Sequence, residues 1–356
     1  MRVALVHDFL YTLRGAERVL DVLCEIFPEA DLYALLYRPG TLNPRIEKRR
    51  IVASFIDRLP GAHRNHRWFL PLYPLAVAGF SLDRYDLVVS SSYCAAKAVR
   101  TRGRHICYCH TPMRYVWDMV DEYFGGARRA ILEPLIRFLR AWDVRTAGRV
   151  DSFIANSTCV AERIRRIYGR DSEVIHPPAD ADFYTPGSMP REEWFLCASA
   201  FAPYKRVDLV MDAFRRSGRP LKVVGAGQDE KRIRSLAGGN VELLGWQSDE
   251  VLRDLYRRCR ALVFAGEEDF GIVPVEAQLC GAPVVAYGKG GLLDSVLDGR
   301  TGLFFREQTV ASINEMVARC NQIRFDPAEC RRNGERFSRT RFRDRMEAVV
   351  REKAGL

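Results

Sequence analysis

Two doubly wound α/β domains of the Rossmann-like kind, facing across a cleft, are expected from three features of the sequence. Short apolar runs alternate with stretches of helical period, the alternation restarts near residue 194, and a proline-rich joint, His176-Pro177-Pro178, separates the halves. Alternating strands and helices of this kind make parallel sheets with helical crossovers. The expected domains are 1–178 and 179–356, with the final helix a candidate to pack back on the first, and 356 residues suffice for two cores.

Arg2 to Phe9 is an apolar run with His7 and Asp8 near its end, a first strand carrying polar residues at its carboxyl end. Leu13-Arg14-Gly15-Ala16-Glu17 makes the turn, and Val19, Leu20, Val22, Leu23 and Ile26 mark the buried face of the next helix. Ligands of such βα units collect at the carboxyl ends of strands. Residues 45–73 carry Arg45, Lys48, Arg49, Arg50, Arg58, Arg64 and Arg67, followed by Trp68-Phe69-Leu70-Pro71-Leu72-Tyr73. Basic residues beside an apolar, aromatic patch suit an anionic bilayer surface, and a solvated loop next to a core helix is the alternative.

Asp86 to Ser92 reads as a strand and its turn. The strand from His105 ends at His110, where Pro112 forces an extended exit, so His110 stands at a strand's carboxyl end among polar neighbours. Val150 to Ser157 is another strand, and Ser157 or Thr158 is placed to cap the helix containing Val160, Ile164 and Ile167. Val174 to Pro178 closes the first half. Asp180-Ala181-Asp182 has a metal-motif look, but in a linker it reads as turn chemistry.

The second half restarts with a strand in Trp194 to Phe201. Lys205 and Arg206 follow it at the head of a helix, which suits a diphosphate. Leu221 to Gly227 is a strand running into a lone Gly-x-Gly, a weak signal. Val241 to Trp246 and Val284 to Ala286 are further strands, the latter leading to Gly288-Lys289-Gly290-Gly291. Thr301 to Phe305 is a late strand, and the last helices end in a very basic segment, Arg331 to Arg351.

One stretch organises this half. Ala261-Leu262-Val263-Phe264 reads as a buried strand, and residues 265–271 as a polar turn. Pro274 is expected at the first position of a helix reaching about Cys280, with Gly281 as its stop and Pro283 beyond. A strand, a glycine turn and a helix start expose amide groups to an anion. Glu268 and Glu276 stand at its edge and can accept hydrogen bonds from sugar hydroxyls, so the combination suggests a nucleotide-sugar pocket. The spacing alone is uninformative, since it recurs at Glu17/Glu25 and Glu242/Glu250.

This segment, Phe264 to Ala277, resembles the signature of the retaining nucleotide-sugar glycosyltransferases of family four, which have the GT-B fold, and the resemblance covers nearly the whole chain. It implies an acceptor-side first domain and a donor-binding second one. It implies that Glu268 contacts the transferred sugar and Glu276 the ribose, with Phe270, Gly271 and Ile272 in the same pocket and Gly245 bordering the base. His110 would lie against the donor sugar and form the catalytic set with Glu268. Gly15 would approach the donor, although Arg14 replaces the first of two usual glycines and Ala200 a usual arginine, leaving Lys205 and Arg206 to supply the charge. The run His110-Thr111-Pro112-Met113-Arg114-Tyr115 with Trp117-Asp118 is similar to a branch that includes bacterial O-antigen mannosyltransferases. That branch implies mannose transfer from GDP-mannose to a glycan or lipid-linked acceptor in cell-surface polysaccharide synthesis. The leaving diphosphate would take the acceptor proton, and no metal or cofactor is expected.

A UDP-sugar is the rival donor, and a sugar-nucleotide epimerase of the same fold the rival enzyme. The net charge of +10 raises nucleic acid as a partner, but no zinc-finger spacing or RNP-type aromatic motif accompanies it. Ten scattered cysteines read as buried thiols of a cytoplasmic protein. No apolar run has the length of a membrane span, and Met1 to Val6 enters a strand rather than a secretion signal. The expected location is therefore the cytoplasm, with a peripheral place on the inner face of the cell membrane if the basic face docks there.

Overall fold

Strand-forming runs that are apolar at every position are buried on both faces, the pattern of parallel sheets covered by helices. The computed structural model describes residues 1–12, 15–120, 125 and 127–355 and bears this pattern out, while Arg14 lies outside the described residues. The chain divides into two compact units, Met1–Pro177 with Phe342–Leu356, and Pro178–Arg341.

The first unit is built on a seven-stranded sheet of β1 (Val3–Leu10), β2 (Asp31–Tyr37), β3 (Ile51–Ala53), β4 (Leu87–Ser92), β5 (Arg104–Cys109), β6 (Ser152–Ala155) and β7 (Ser172–Val174). Every pairing is parallel and the order is β3-β2-β1-β4-β5-β6-β7. Chain direction across the sheet reverses at β1, where His7 stands between Ala34 of β2 and Ser91 of β4. Such a switch point leaves a crevice at the carboxyl ends of the strands. Along β1, Ala4 and Val6 feed one core and Leu5 the other, and the sides exchange at its end, where Phe9 joins the first core and Leu10 the second. Phe342, Met346, Val349 and Val350 of the last helix, Arg339–Ala354, join that second core.

The second unit carries a six-stranded sheet of β8 (Phe195–Ala198), β9 (Leu221–Val224), β10 (Val241–Gly245), β11 (Leu262–Phe264), β12 (Val284–Tyr287) and β13 (Gly302–Phe305). Its order is β10-β9-β8-β11-β12-β13, again wholly parallel, with the reversal between β8 and β11. Leu196, Leu262 and Val284 lie in one core, Val223, Val263 and Val285 in the other.

Several local expectations can be placed. Ser157 caps the helix Thr158–Tyr168 by accepting from the Val160 amide at 3.3 Å. Asp180 accepts from the Phe183 amide at 3.0 Å, the turn chemistry read for that linker. Two residues of the expected basic surface have other employment. Arg49 donates to the carbonyls of Cys24, Phe27 and Ala30, just where the helix Gly15–Ile26 leaves its last acceptors without partners. Arg45 pairs with Asp21 at 2.9 Å. No described helix is long and apolar enough to cross a membrane.

Candidate functional site

In the first unit the polar residues gather at the carboxyl ends of β1, β4 and β5. Asp8 is fully buried, and its carboxylate accepts from the amides of Tyr93 (2.7 Å), Cys94 (2.8 Å), Ala95 (2.6 Å) and Ala96 (2.7 Å). One carboxylate thereby fixes the loop after β4, since a buried anion needs such donors to offset its lost hydration. His110 is 9% exposed, and its Nε2 lies 2.8 Å from the Ser91 hydroxyl. Burial first, and then neighbouring His7, push the His110 imidazole down to about 3. It is therefore neutral at physiological pH and offers a hydrogen bond rather than a charge.

His7 stands edge-on to both Tyr93 and His110, with ring centroids 5.9 and 6.5 Å away. It is fully buried, and among the described residues neither ring nitrogen has a hydrogen-bond partner. Its Nε2 lies 3.7 Å from Glu17 Oε1 in the first turn of the helix Gly15–Ile26. Gly15 opens that helix in an exposed position, with no atom within 4 Å of where a Cβ would stand, so internal packing does not demand glycine there.

In the second unit the strand–turn–helix frame is present, with one correction. The helix runs Ile272–Leu279, two residues ahead of the expected start, so Pro274 occupies its third position. Gly271, at φ +87°, makes the earlier start: its left-handed backbone turns the chain straight into the helix. Pro274 remains harmless because third-position amides have no intrahelical partner. The N-cap glycine offers no side chain to the first-turn amides, which keeps them available to an anion.

Lys205 ends a short turn, Pro203–Lys205, and its ammonium is ion-paired with Glu268, the two side chains being 16% and 14% exposed. Arg206 follows at φ 52°, a left-handed conformation rare for a residue with a side chain. It directs the chain into the helix Val207–Ser217, and its guanidinium lies 3.6 Å from Asp208 and 3.4 Å from Gln308. Glu268 is locked from behind as well, since the Gly291 amide donates to its carbonyl at 2.9 Å. Gly290 makes that approach feasible: at φ +69° its added Cβ would sit 2.4 Å from the Glu268 carbonyl oxygen.

Glu276 is 4% exposed and 3.5 Å from the Tyr256 hydroxyl. Phe270 is buried with its ring edge-on to Phe337 at 5.3 Å, so what it can offer a ligand is its backbone. Ile272 packs against the same core, and Gly245 ends β10 at φ +69° with open space around it. Ala200 is exposed and supplies no charge. The second unit thus brings Lys205, Glu268, Gly271 and Ile272 together around one turn. Sequence reasoning missed the bonds of Asp8, the Ser91–His110 contact and the position of Glu17 against His7. The only hint of them was polar residues at strand ends.

Comparison with known proteins matches each half to a family. Residues 13–183 match the glycosyltransferase family 4 model, and residues 182–337 the glycosyl transferases group 1 model. A D-inositol 3-phosphate glycosyltransferase of Gordonia bronchialis is 30% identical over 243 residues, covering 58% of this chain and 53% of that protein. An uncharacterized glycosyltransferase of Methanocaldococcus jannaschii is 34% identical over 127 residues, 34% of this chain and 36% of its own. The chain thus spans about half or less of these curated relatives. Among solved structures, Anabaena HepE in complex with UDP and glucose superposes with a TM-score of 0.73 at 16% identity, covering 98% of this chain and 99% of its own. Sucrose-phosphate synthase from Thermosynechococcus elongatus does so with a TM-score of 0.74 at 17% identity, over 98% of both chains. The two parallel sheets are those of a GT-B fold.

Proposed function

We propose, from the premise that this chain belongs with the family 4 glycosyltransferases, that it moves a sugar from a nucleotide donor to an acceptor hydroxyl with retention at the anomeric carbon. The observation that carries this reading is the turn at 266–271, which sets a carboxylate and an ammonium beside an uncapped helix start. Lys205, Arg206 and the first-turn amides hold the diphosphate, Glu268 accepts from hydroxyls of the transferred sugar, and Glu276 accepts from the ribose. Gly245 borders the base, and Gly15 approaches the donor. His110, neutral, gives a hydrogen bond to the sugar. The bond from the anomeric carbon to the diphosphate oxygen breaks as the acceptor oxygen adds on the same face. The acceptor proton passes to that departing oxygen. The protein supplies orientation and charge stabilisation.

Mannose from GDP-mannose, delivered to a glycan or lipid-linked acceptor of the cell surface, is the donor reading that the His110–Asp118 run supports. A UDP-sugar is the second reading, favoured by the likeness to a structure holding UDP and glucose. Two conservative substitutions test the assignment of the carboxylates. Glu268→Gln should depress kcat sharply while free nucleoside diphosphate still binds nearly normally. Glu276→Gln should weaken the diphosphate itself by roughly 1.5–3 kcal/mol, because donor and product share the ribose. The reverse pattern would overturn the two roles.

A further inference from the structure

We infer that the segment 66–78 of the first unit is a docking stripe for an anionic bilayer. His66–Leu72 is a 3-10 helix that continues as an α-helix over Tyr73–Ala78. Its inner side is core: Leu70, Tyr73, Ala76 and Val77 are buried. Its outer side is apolar too. Trp68 is 80% and Leu75 63% exposed, and Pro71 and Ala78 are exposed between and beyond them. Steps of three, four and three residues through a 3-10 turn and then α-turns set these four on one line. A soluble helix normally turns charge outward, so a second apolar face calls for an occupant.

Charge identifies the occupant. Exposed Arg58, Arg64 and Arg67 flank the stripe, and no aspartate or glutamate occurs between Asp57 and Asp83. A cavity of about 370 Å³ adjoins the far end, lined by Phe55, Ala76, Phe80, Arg50 and Arg84. There one carboxylate, Asp31, faces both guanidiniums, at 3.8 and 2.9 Å, leaving that corner net positive. A second copy of the chain would set arginines against arginines. Four apolar side chains also fall far short of the roughly 20–30 residues that each partner brings to a stable protein interface. An apolar line with a rim that is net positive, five arginines against Asp31 and Asp57, fits lipid tails below anionic headgroups.

Resting on the transfer proposed above, the stripe also has a direction. His66, where it begins, packs on Phe9 at the carboxyl end of β1, with ring centroids 5.0 Å apart. Docking would hold this ligand-collecting edge near the bilayer, where a lipid-linked acceptor resides. The narrowed set, 58–78, excludes Arg45 and Arg49, whose bonds lie within the fold.

Vesicle sedimentation tests the docking with no sugar transfer in the readout, so its failure would leave the transfer reading standing. Full-length protein should pellet with phosphatidylglycerol vesicles and not with phosphatidylcholine vesicles. Binding should fade as salt shortens the Debye length to about 3 Å. Arg58→Gln/Arg64→Gln/Arg67→Gln should weaken partition on the order of 100-fold, and Trp68→Ser/Leu75→Ser by at least about tenfold. A blue shift of tryptophan emission on binding should vanish in Trp68→Ser and persist in Trp246→Ser, a control at the other markedly exposed tryptophan. Equal partition to both lipids, or full partition of Trp68→Ser/Leu75→Ser, would overturn the inference. So would a concentration-dependent dimer, without vesicle binding, that Leu75→Ser abolishes.

Discussion

Replacing Lys205 by Met probes the charge that it shares with Glu268. The two side chains are paired and largely shielded from water, at 16% and 14% exposure, so the charges are strongly felt. In the proposed site the ammonium would donate to a diphosphate oxygen, a bond worth about 1.5–3 kcal/mol. Its removal also leaves the Glu268 carboxylate uncompensated. At an effective dielectric constant near 20, a carboxylate about 6 Å from a phosphate charge is repelled by roughly 3 kcal/mol. The variant should therefore lose about 3 kcal/mol or more of diphosphate affinity, upwards of a hundredfold in Kd. Adding Glu268→Gln removes the repulsion but not the lost contact, so the double variant should recover at least about 1 kcal/mol, a coupling within the usual range for contacting residues. Calorimetry with UDP, GDP and their parent nucleosides reads this directly, and the nucleosides should bind all variants alike. Equal losses for nucleoside and diphosphate would place Lys205 away from the phosphates. Strict additivity would refute the shared charge.

Two predictions concern stability. Lys97 and Asp143 form an ion pair at 2.9 Å with side chains 2% and 0% exposed, and Asp143 also accepts from Trp117 and Tyr168. Lys97→Met strands that carboxylate and should cost about 3–5 kcal/mol in urea unfolding; a loss below about 1 kcal/mol would contradict the pairing. Burial holds His66 and His105 down to about 4, and burial with His7 holds His110 down to about 3. Folding keeps these rings neutral, so the unfolded chain binds protons first. Their contribution is complete above pH about 6.5 and is lost as pH falls toward 4 and below. Near pH 5 the three together should give a slope of about 4 kcal/mol per pH unit. His105→Asn should reduce it by about a third, whereas flat stability from pH 6.5 to 5 would refute the burial argument.

The frame of both units was legible because parallel strands are apolar throughout and their polar ends are abrupt, as at His7-Asp8 and His110. Gly271 marked the turn, yet the helix start was misplaced because Pro274 carries a stronger local preference than a left-handed glycine. Long-range pairings left no local trace. Lys97 reads as a surface lysine until Asp143, 46 residues on, meets it in the core. Arg49 looks like part of a cationic face, but its partners are carbonyls, which every residue carries and no pattern reveals. Asp8 likewise binds amides of residues 93–96, a choice made by the parallel pairing of β1 with β4 rather than by its neighbours in sequence.

The central claim is transfer with retention from a nucleotide sugar. Its most direct test is proton NMR of the full-length protein with GDP-mannose, or with a UDP-hexose, and a lipid-linked acceptor, following the anomeric signal. The account predicts that the donor signal is replaced by a glycoside of the same anomeric configuration, only when acceptor is present, with one nucleoside diphosphate released per bond formed. Conversion of the donor to an epimeric sugar without acceptor, or a product of inverted configuration, would contradict it.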